Sequence, residues 1–193
     1  MSRFTISFAA CFIILSSIQG QVAAGKSDGL VLGQDFISLN AFAFNENDFD
    51  DKYDSLDLNS DGQFDILFNA NAGRVPDYLG GGTSASAMHS KFEIMGDSLD
   101  LAQSLALGDS INANQNWITN DNGTLVWSGF VARFWGLFGQ LQQYGDWVSV
   151  PEAYAGFRVI NAQSDTLYGW MLVKASVNTN AANATLKINS WAI

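Results

Sequence analysis

From Trp117 onward the chain is a succession of short aromatic and β-branched runs cut by glycine or small polar residues: TLVWSGFVARFWGLFG, YGDWVSV, AYAGFRVIN, TLYGWMLVKASV and ATLKINSWAI. Short runs of this composition, spaced about eight to twelve residues apart, are the pattern of a sandwich or jelly roll. No repeat of roughly 20–50 residues is visible, which argues against a solenoid or propeller.

Upstream, residues 30–44 (LVLGQDFISLNAFAF) suit one strand or a pair of short ones. Residues 53–58 and 64–70 flank a polar turn, and Phe64, Ile66 and Phe68 share one face of the second, so the two read as a hairpin. Residues 76–90 (PDYLGGGTSASAMHS) carry Pro76 and three consecutive glycines and read as a surface loop, followed by a strand over 91–95. In GDSLDLAQSLALGDSI, Leu99, Leu101, Leu105 and Leu107 give the one segment with helical spacing. The expected fold is all-β: a β-sandwich or jelly-roll-like pair of antiparallel sheets with one short helix.

The first residues, MSRFTISFAACFIILSSIQGQVAAG, combine Arg3, an apolar run over 4–18 and the small-residue stretch Val22-Ala23-Ala24. This is the form of an export signal, too short and too interrupted by Ser and Thr to span a bilayer. The expected organisation is a signal peptide over 1–24 and a single β-sandwich domain over 25–193, secreted and extracellular or held at the cell surface, with no membrane span after signal removal. Cys11 is the sole cysteine; lying inside the apolar run, it is expected to leave with the signal rather than to anchor a lipid. No disulfide then staples the mature chain, and its stability rests on core burial and bound metal.

The formal net charge is −10, one unit more negative once Arg3 is removed. Nucleic acid and anionic membrane surfaces require clustered Lys and Arg, so neither is an expected partner. Glu46, Asp48, Asp50, Asp51, Asp54, Asp57, Asp61 and Asp65 crowd into residues 46–65. Such a cluster repels itself unless it is solvated or neutralised by a cation.

Within it lies DLNSDGQFD, residues 57–65. Asp57, Asn59 and Asp61 stand at loop positions 1, 3 and 5, Gly62 supports a tight turn at 6, Gln63 offers its backbone carbonyl at 7, and Asp65 occupies 9. A hard divalent ion takes six to eight oxygens, and alternate positions of a curling loop converge on one point, so the pattern fits Ca2+. It is not an EF-hand: position 12 is Phe68, which has no carboxylate, and the flanks read as strands. The alternative is an Asx-rich turn in which Asn59, Asp61 and Gly62 only supply turn conformations.

Together with this loop, four further blocks occur in order: Leu105-Ala106-Leu107-Gly108-Asp109-Ser110-Ile111, Gly156-Phe157-Arg158-Val159, Tyr168-Gly169-Trp170 and Trp191-Ala192-Ile193. Their succession over roughly residues 53–193 resembles bacterial exported all-β proteins of the PEP-CTERM-associated type. The resemblance implies an export-linked all-β domain and brings no established enzymatic activity. The sequence reaches Ile193 without the Pro-Glu-Pro motif, apolar segment and basic end of the sorting tail, so retention by that route is not expected. In physical terms Tyr168 and Trp170 share one face of a strand, and Gly169 lets a neighbour approach closely, which is core packing; a sugar-stacking platform is the alternative. Arg158, amid apolar neighbours, is expected to pair with an acidic residue or to span to the surface rather than to bind an anion.

Catalytic chemistry is sparse. His89 is the only histidine, and no G-x-S-x-G elbow accompanies it. One histidine and no mature cysteine exclude the usual zinc ligand sets. Glu46, Glu93 and Glu152 are the only glutamates, and no E-x-D-x-E strand motif is present. Gly80–Gly82 lacks the Lys and helix start of a phosphate loop. The expectation is a non-enzymatic, calcium-stabilised surface or extracellular-matrix protein acting by binding or self-assembly. The alternatives are a carbohydrate-binding module that meets extracellular polysaccharide through exposed Trp or Tyr faces and, behind it, a glycoside hydrolase.

Overall fold

The structure is a computed structural model that describes residues 21–33, 36–76, 78–97, 102–118, 133–137, 142–144, 147, 150, 152–178 and 182–193, with the backbone alone at 78, 133–137 and 142–144. The strands are β1 (Val22–Ala23), β2 (Ile37–Phe42), β3 (Asp48–Leu56), β4 (Ile66–Val75), β5 (Tyr78–Ala87), β6 (Phe92–Met95) and β7 (Ser110–Ile111). They continue as β8 (Trp117–Ile118), β9 (Arg133–Leu137), β10 (Gln142–Tyr144), β11 (Ala153–Ile160), β12 (Thr166–Asn178) and β13 (Asn183–Ala192).

A five-stranded sheet has the order β10-β9-β5-β4-β3 and a six-stranded sheet the order β2-β13-β12-β11-β6-β8, all pairs antiparallel. Alternation along each strand sends Ile66, Phe68 and Leu79 of the first sheet and Phe92, Phe157, Met171, Val173, Leu186 and Ile188 of the second into one buried core. This is the expected all-β sandwich, two sheets each burying one face against the other.

A third layer covers part of the outward face of the six-stranded sheet. Tyr154, Tyr168 and Trp170 point outward there and pack with Val22, Ala24, Leu30, Leu105 and Ile111 in a second cluster. Its roof is the two-stranded pair β1-β7, in which Val22 faces Ile111 and Ala23 faces Ser110. Ala24 is fully buried; its amide donates to Asp109 O, and its carbonyl accepts from Gly108 N, both at 2.9 Å. The expected signal boundary after Ala24 thus falls inside this roof.

Two local expectations are corrected. Residues 76–90 are not a loop: Tyr78–Ala87 is a strand paired with β4 on one side and β9 on the other. Pairing along both edges, with Leu79, Ala85 and Ala87 buried inward, supplies what glycine-rich propensity lacks. The expected helix within residues 96–111 is also absent over the described part, 102–111. Ala102 bridges Gly96, Leu105 bridges Tyr154, and the segment ends in β7. The same leucines are separated by even numbers of residues, so a period of two fits them as well as a helical one. Residues 98–101 lie outside the described residues, as do 124–132 and 138–139 of the run TLVWSGFVARFWGLFG.

The resemblance blocks lie close in space. Trp170 is 4% exposed, meets Tyr154 edge-on at 5.4 Å between ring centroids and donates its indole N–H to Lys26 O at 2.6 Å. A Cβ at Gly169 would stand 2.3 Å from Ala192 O on the neighbouring strand, which is why the residue between the two rings has no side chain. Arg158 pairs with Glu93, as expected, and its guanidinium also lies 4.7 Å from the centre of the Trp117 ring.

Candidate functional site

The acidic loop closes the hairpin between β3 and β4, whose last pair is Leu56↔Ile66. Two left-handed residues turn it, Ser60 at φ 57° and Gly62 at φ 85°, the latter at the position where glycine was expected. The side chains then fold back on the loop's own amides. Asp57 Oδ1 accepts from Asp61 N at 3.2 Å and its Oδ2 from Gly62 N at 2.8 Å. Asn59 Oδ1 accepts from Asp61 N at 3.0 Å, and Asp61 Oδ1 accepts from Gln63 N at 2.9 Å. Asp57, Asn59 and Asp61 are thereby wound around one short stretch of backbone, with Asp61 and Gln63 exposed to solvent.

Asp65 differs from the rest. Its carboxylate is fully buried and turns back under the loop, where Oδ2 accepts from Leu58 N at 2.7 Å and Asn59 N at 3.3 Å. Its backbone is equally tied, N to Leu56 O at 2.8 Å and O to Met88 N at 2.9 Å. Oδ1 lies 2.9 Å from His89 Nε2 but off the N–H direction, so it accepts no aligned hydrogen bond. Burial pushes the Asp65 carboxyl above its ordinary value, against the opposing pull of the Leu58 amide and the His89 ring. Asn59 Nδ2 is a second buried polar atom without a hydrogen-bond partner.

Among the described residues no group of three or more His, Cys, Asp or Glu side chains is gathered as a metal cluster. The donor chemistry nevertheless fits a hard cation: side-chain oxygens from Asp57, Asn59, Asp61 and Asp65, a Gln63 carbonyl, and a buried carboxylate oxygen lacking an aligned donor.

His89 was not foreseen here. The β4–β5 hairpin explains its position: Ile66 pairs with Ala87, so the residues just beyond, Asp65 and Met88-His89, meet. Recognising residues 78–87 as a strand would have been enough to find it. His89 Nδ1 accepts from Lys91 N at 3.2 Å, which leaves the ring proton on Nε2, the nitrogen nearer Asp65 but not aligned on its Oδ1.

The rings proposed for sugar stacking fare differently. Trp147 is 1% exposed and donates to Ala102 O at 2.9 Å, and Trp170 belongs to the second core. Neither offers a face to solvent. Trp127 and the side chain of Trp135 lie outside the described residues. Comparison with protein-family models, with curated proteins and with solved structures found no match for this chain.

Proposed function

We propose that this chain is an exported, non-catalytic, calcium-stabilised surface or extracellular-matrix protein that acts by binding or self-assembly, akin to the PEP-CTERM-associated exported proteins it resembles. The observation that carries the reading is the inward winding of Asp57, Asn59 and Asp61 above a buried Asp65 whose Oδ1 has no aligned donor. The side chains of Asp57, Asn59, Asp61 and Asp65, with the Gln63 carbonyl, would hold the ion. Bound calcium would neutralise carboxylates that otherwise repel one another and would tie the loop to the strands on either side.

The absence of catalysis in this reading is supported by His89, whose two nitrogens face Lys91 N and Asp65, leaving neither for a nucleophile. Glu93 is committed to Arg158, and Glu152 accepts from Asn189 Nδ2 at 2.9 Å. Among the described residues no helix is long and apolar enough to cross a membrane.

Thermal unfolding with added calcium and with chelator tests the metal. Calcium is expected to raise the melting temperature in proportion to the logarithm of free ion above its dissociation constant, and Asp61→Ala to abolish the rise. A melting temperature indifferent to calcium refutes the metal role. Size-exclusion chromatography under both conditions tests assembly, with larger species expected in calcium.

A further inference from the structure

We infer that the outward face of the five-stranded sheet carries a trough for a sugar ring of a neutral polysaccharide, with Phe49 as its stacking wall. The inference rests on the binding role proposed above, but not on calcium.

The register builds the trough. Phe49 on β3 faces Gly73 on β4, and Gly73 faces Gly80 on β5, so one cross-strand row reads aromatic, glycine, glycine. Of the two adjacent glycines, Gly73 lies under the Phe49 ring and Gly80 continues the floor of backbone beside it, one strand spacing of about 5 Å farther on. The next outward row, two residues along, brings Asp51 beside Asn71 and then Gly82. Phe49, Asp51, Asn71, Gly73, Val75 and Gly80 line a cavity of about 290 Å³, near the lower end of small-molecule sites.

Phe49 is 72% exposed, yet its ring is seated: a Cβ added at Gly73 would stand 2.9 Å from two of its ring carbons. The ring thus rests on the glycine floor while most of its surface remains open to water, the arrangement that lets an aromatic face receive the C–H side of a pyranose. Hydroxyl groups at the sugar's rim need fixed polar partners. Asn71 supplies one, its amide oriented by donating Nδ2 to Asn69 Oδ1 at 2.7 Å, while Asn69 donates to Lys52 O at 3.3 Å. Asp51 supplies an exposed carboxylate beside it. Farther along the face Asn69 and Ser84 are buried, while Tyr53, opposite Asn69, is 60% exposed and extends the accessible surface along β3. The chain's charge of −10 disfavours uronate-rich or sulfated polymers and leaves neutral glycans as the matching class.

Affinity electrophoresis of the full chain through native gels containing hydroxyethyl cellulose, laminarin or dextran tests this, with dextran sulfate as the anionic control. Retardation is expected in at least one neutral gel and not in dextran sulfate. Phe49→Ala should weaken it roughly tenfold or more, as truncation of a central aromatic anchor does. Phe49→Tyr should retain it, and Asn71→Ala should weaken it at a temperature where the variant is still fully folded. Free migration through every neutral gel, or retardation unaltered in both Phe49→Ala and Asn71→Ala, overturns the trough. Running each gel with calcium and with chelator separates the two readings. Retardation in both conditions without any calcium effect on melting keeps the trough and removes the metal; calcium-dependent melting with no retardation does the reverse.

Discussion

The two outward faces of the sandwich are finished in opposite ways. On the six-stranded sheet, Tyr154, Tyr168 and Trp170 point outward, and β1, β7 and the turn before β7 fold over them as a roof. On the five-stranded sheet, the positions around Phe49 are Asp51, Asn71, Gly73 and Gly80, and Phe49 itself is 72% exposed. The difference lies in side-chain size and polarity at outward strand positions. Three large rings clustered side by side, each forgoing roughly 1.5–3 kcal/mol of transfer free energy if left in water, are together enough to recruit a further layer, whereas Phe49 stands apart from such a cluster. Glycine and asparagine carry no such drive, and a face built from them can stay open to a ligand.

The sharpest way to break this comparison is to truncate one ring on each face. Trp170→Ala removes a buried indole and its hydrogen bond to Lys26 O, and should lower unfolding free energy by about 3–5 kcal/mol in urea titration. Phe49→Ala should change it by no more than about 0.5 kcal/mol. Similar losses at the two sites would mean that Phe49 is structural and that the open face is not a surface held in reserve for binding.

A smaller effect tests the roof itself. A chain beginning at Gly25 lacks β1, both hydrogen bonds of Ala24, and the bond from Lys26 N to Ala23 O. At roughly 1 kcal/mol for each bond net of solvation, the expected loss is about 3 kcal/mol. Tyr154 and Trp170 should also become more accessible, read as increased quenching of tryptophan fluorescence. A signal cut after Ala24 would generate this same chain, so the intact mass of the protein recovered from its own cells and medium reports whether the roof is complete.

Much of this contrast is legible in the sequence, but unevenly. Alternation and turn chemistry are local, so the hairpin around residues 57–65, the buried face of Phe68 and the close packing at Gly169 follow from nearby residues alone. The pairing of Arg158 with an acidic group follows from desolvation. What escapes is whatever depends on partners distant in sequence. Gly80–Gly82 has the composition of a turn and becomes a strand only because β4 and β9 flank it. The meeting of His89 with Asp65 and the glycine row beneath Phe49 both follow from that one pairing. The leucines of residues 99–107 have two admissible periods; of the described ones, Leu105 bridges Tyr154 and is buried while Leu107 stands exposed in the turn before β7.

The smallest expected effect concerns the other end of the open sheet, where the loop lies seven residues along β3 from Phe49, on the order of 23 Å away. Without metal, burial raises the Asp65 carboxyl above its ordinary value, so the folded protein binds that proton more readily than the unfolded chain does. The resulting stabilisation is fully present below the unfolded value of about 3.9 and is lost as pH rises through the raised folded value. Measured against Asp65→Asn in chelator, the wild-type protein should therefore gain melting temperature as the solution is acidified. Calcium bound there would reverse the sign. A cation held by Asp65 favours the ionised form and depresses the folded value, so the stabilisation is present above the unfolded value and is lost on acidification. The two melting series, one in chelator and one in calcium, should diverge in opposite directions across the acid range. Parallel series would remove the ion from Asp65 while leaving the trough at the far end of the sheet untouched, because nothing in the row from Phe49 to Gly80 depends on that carboxylate.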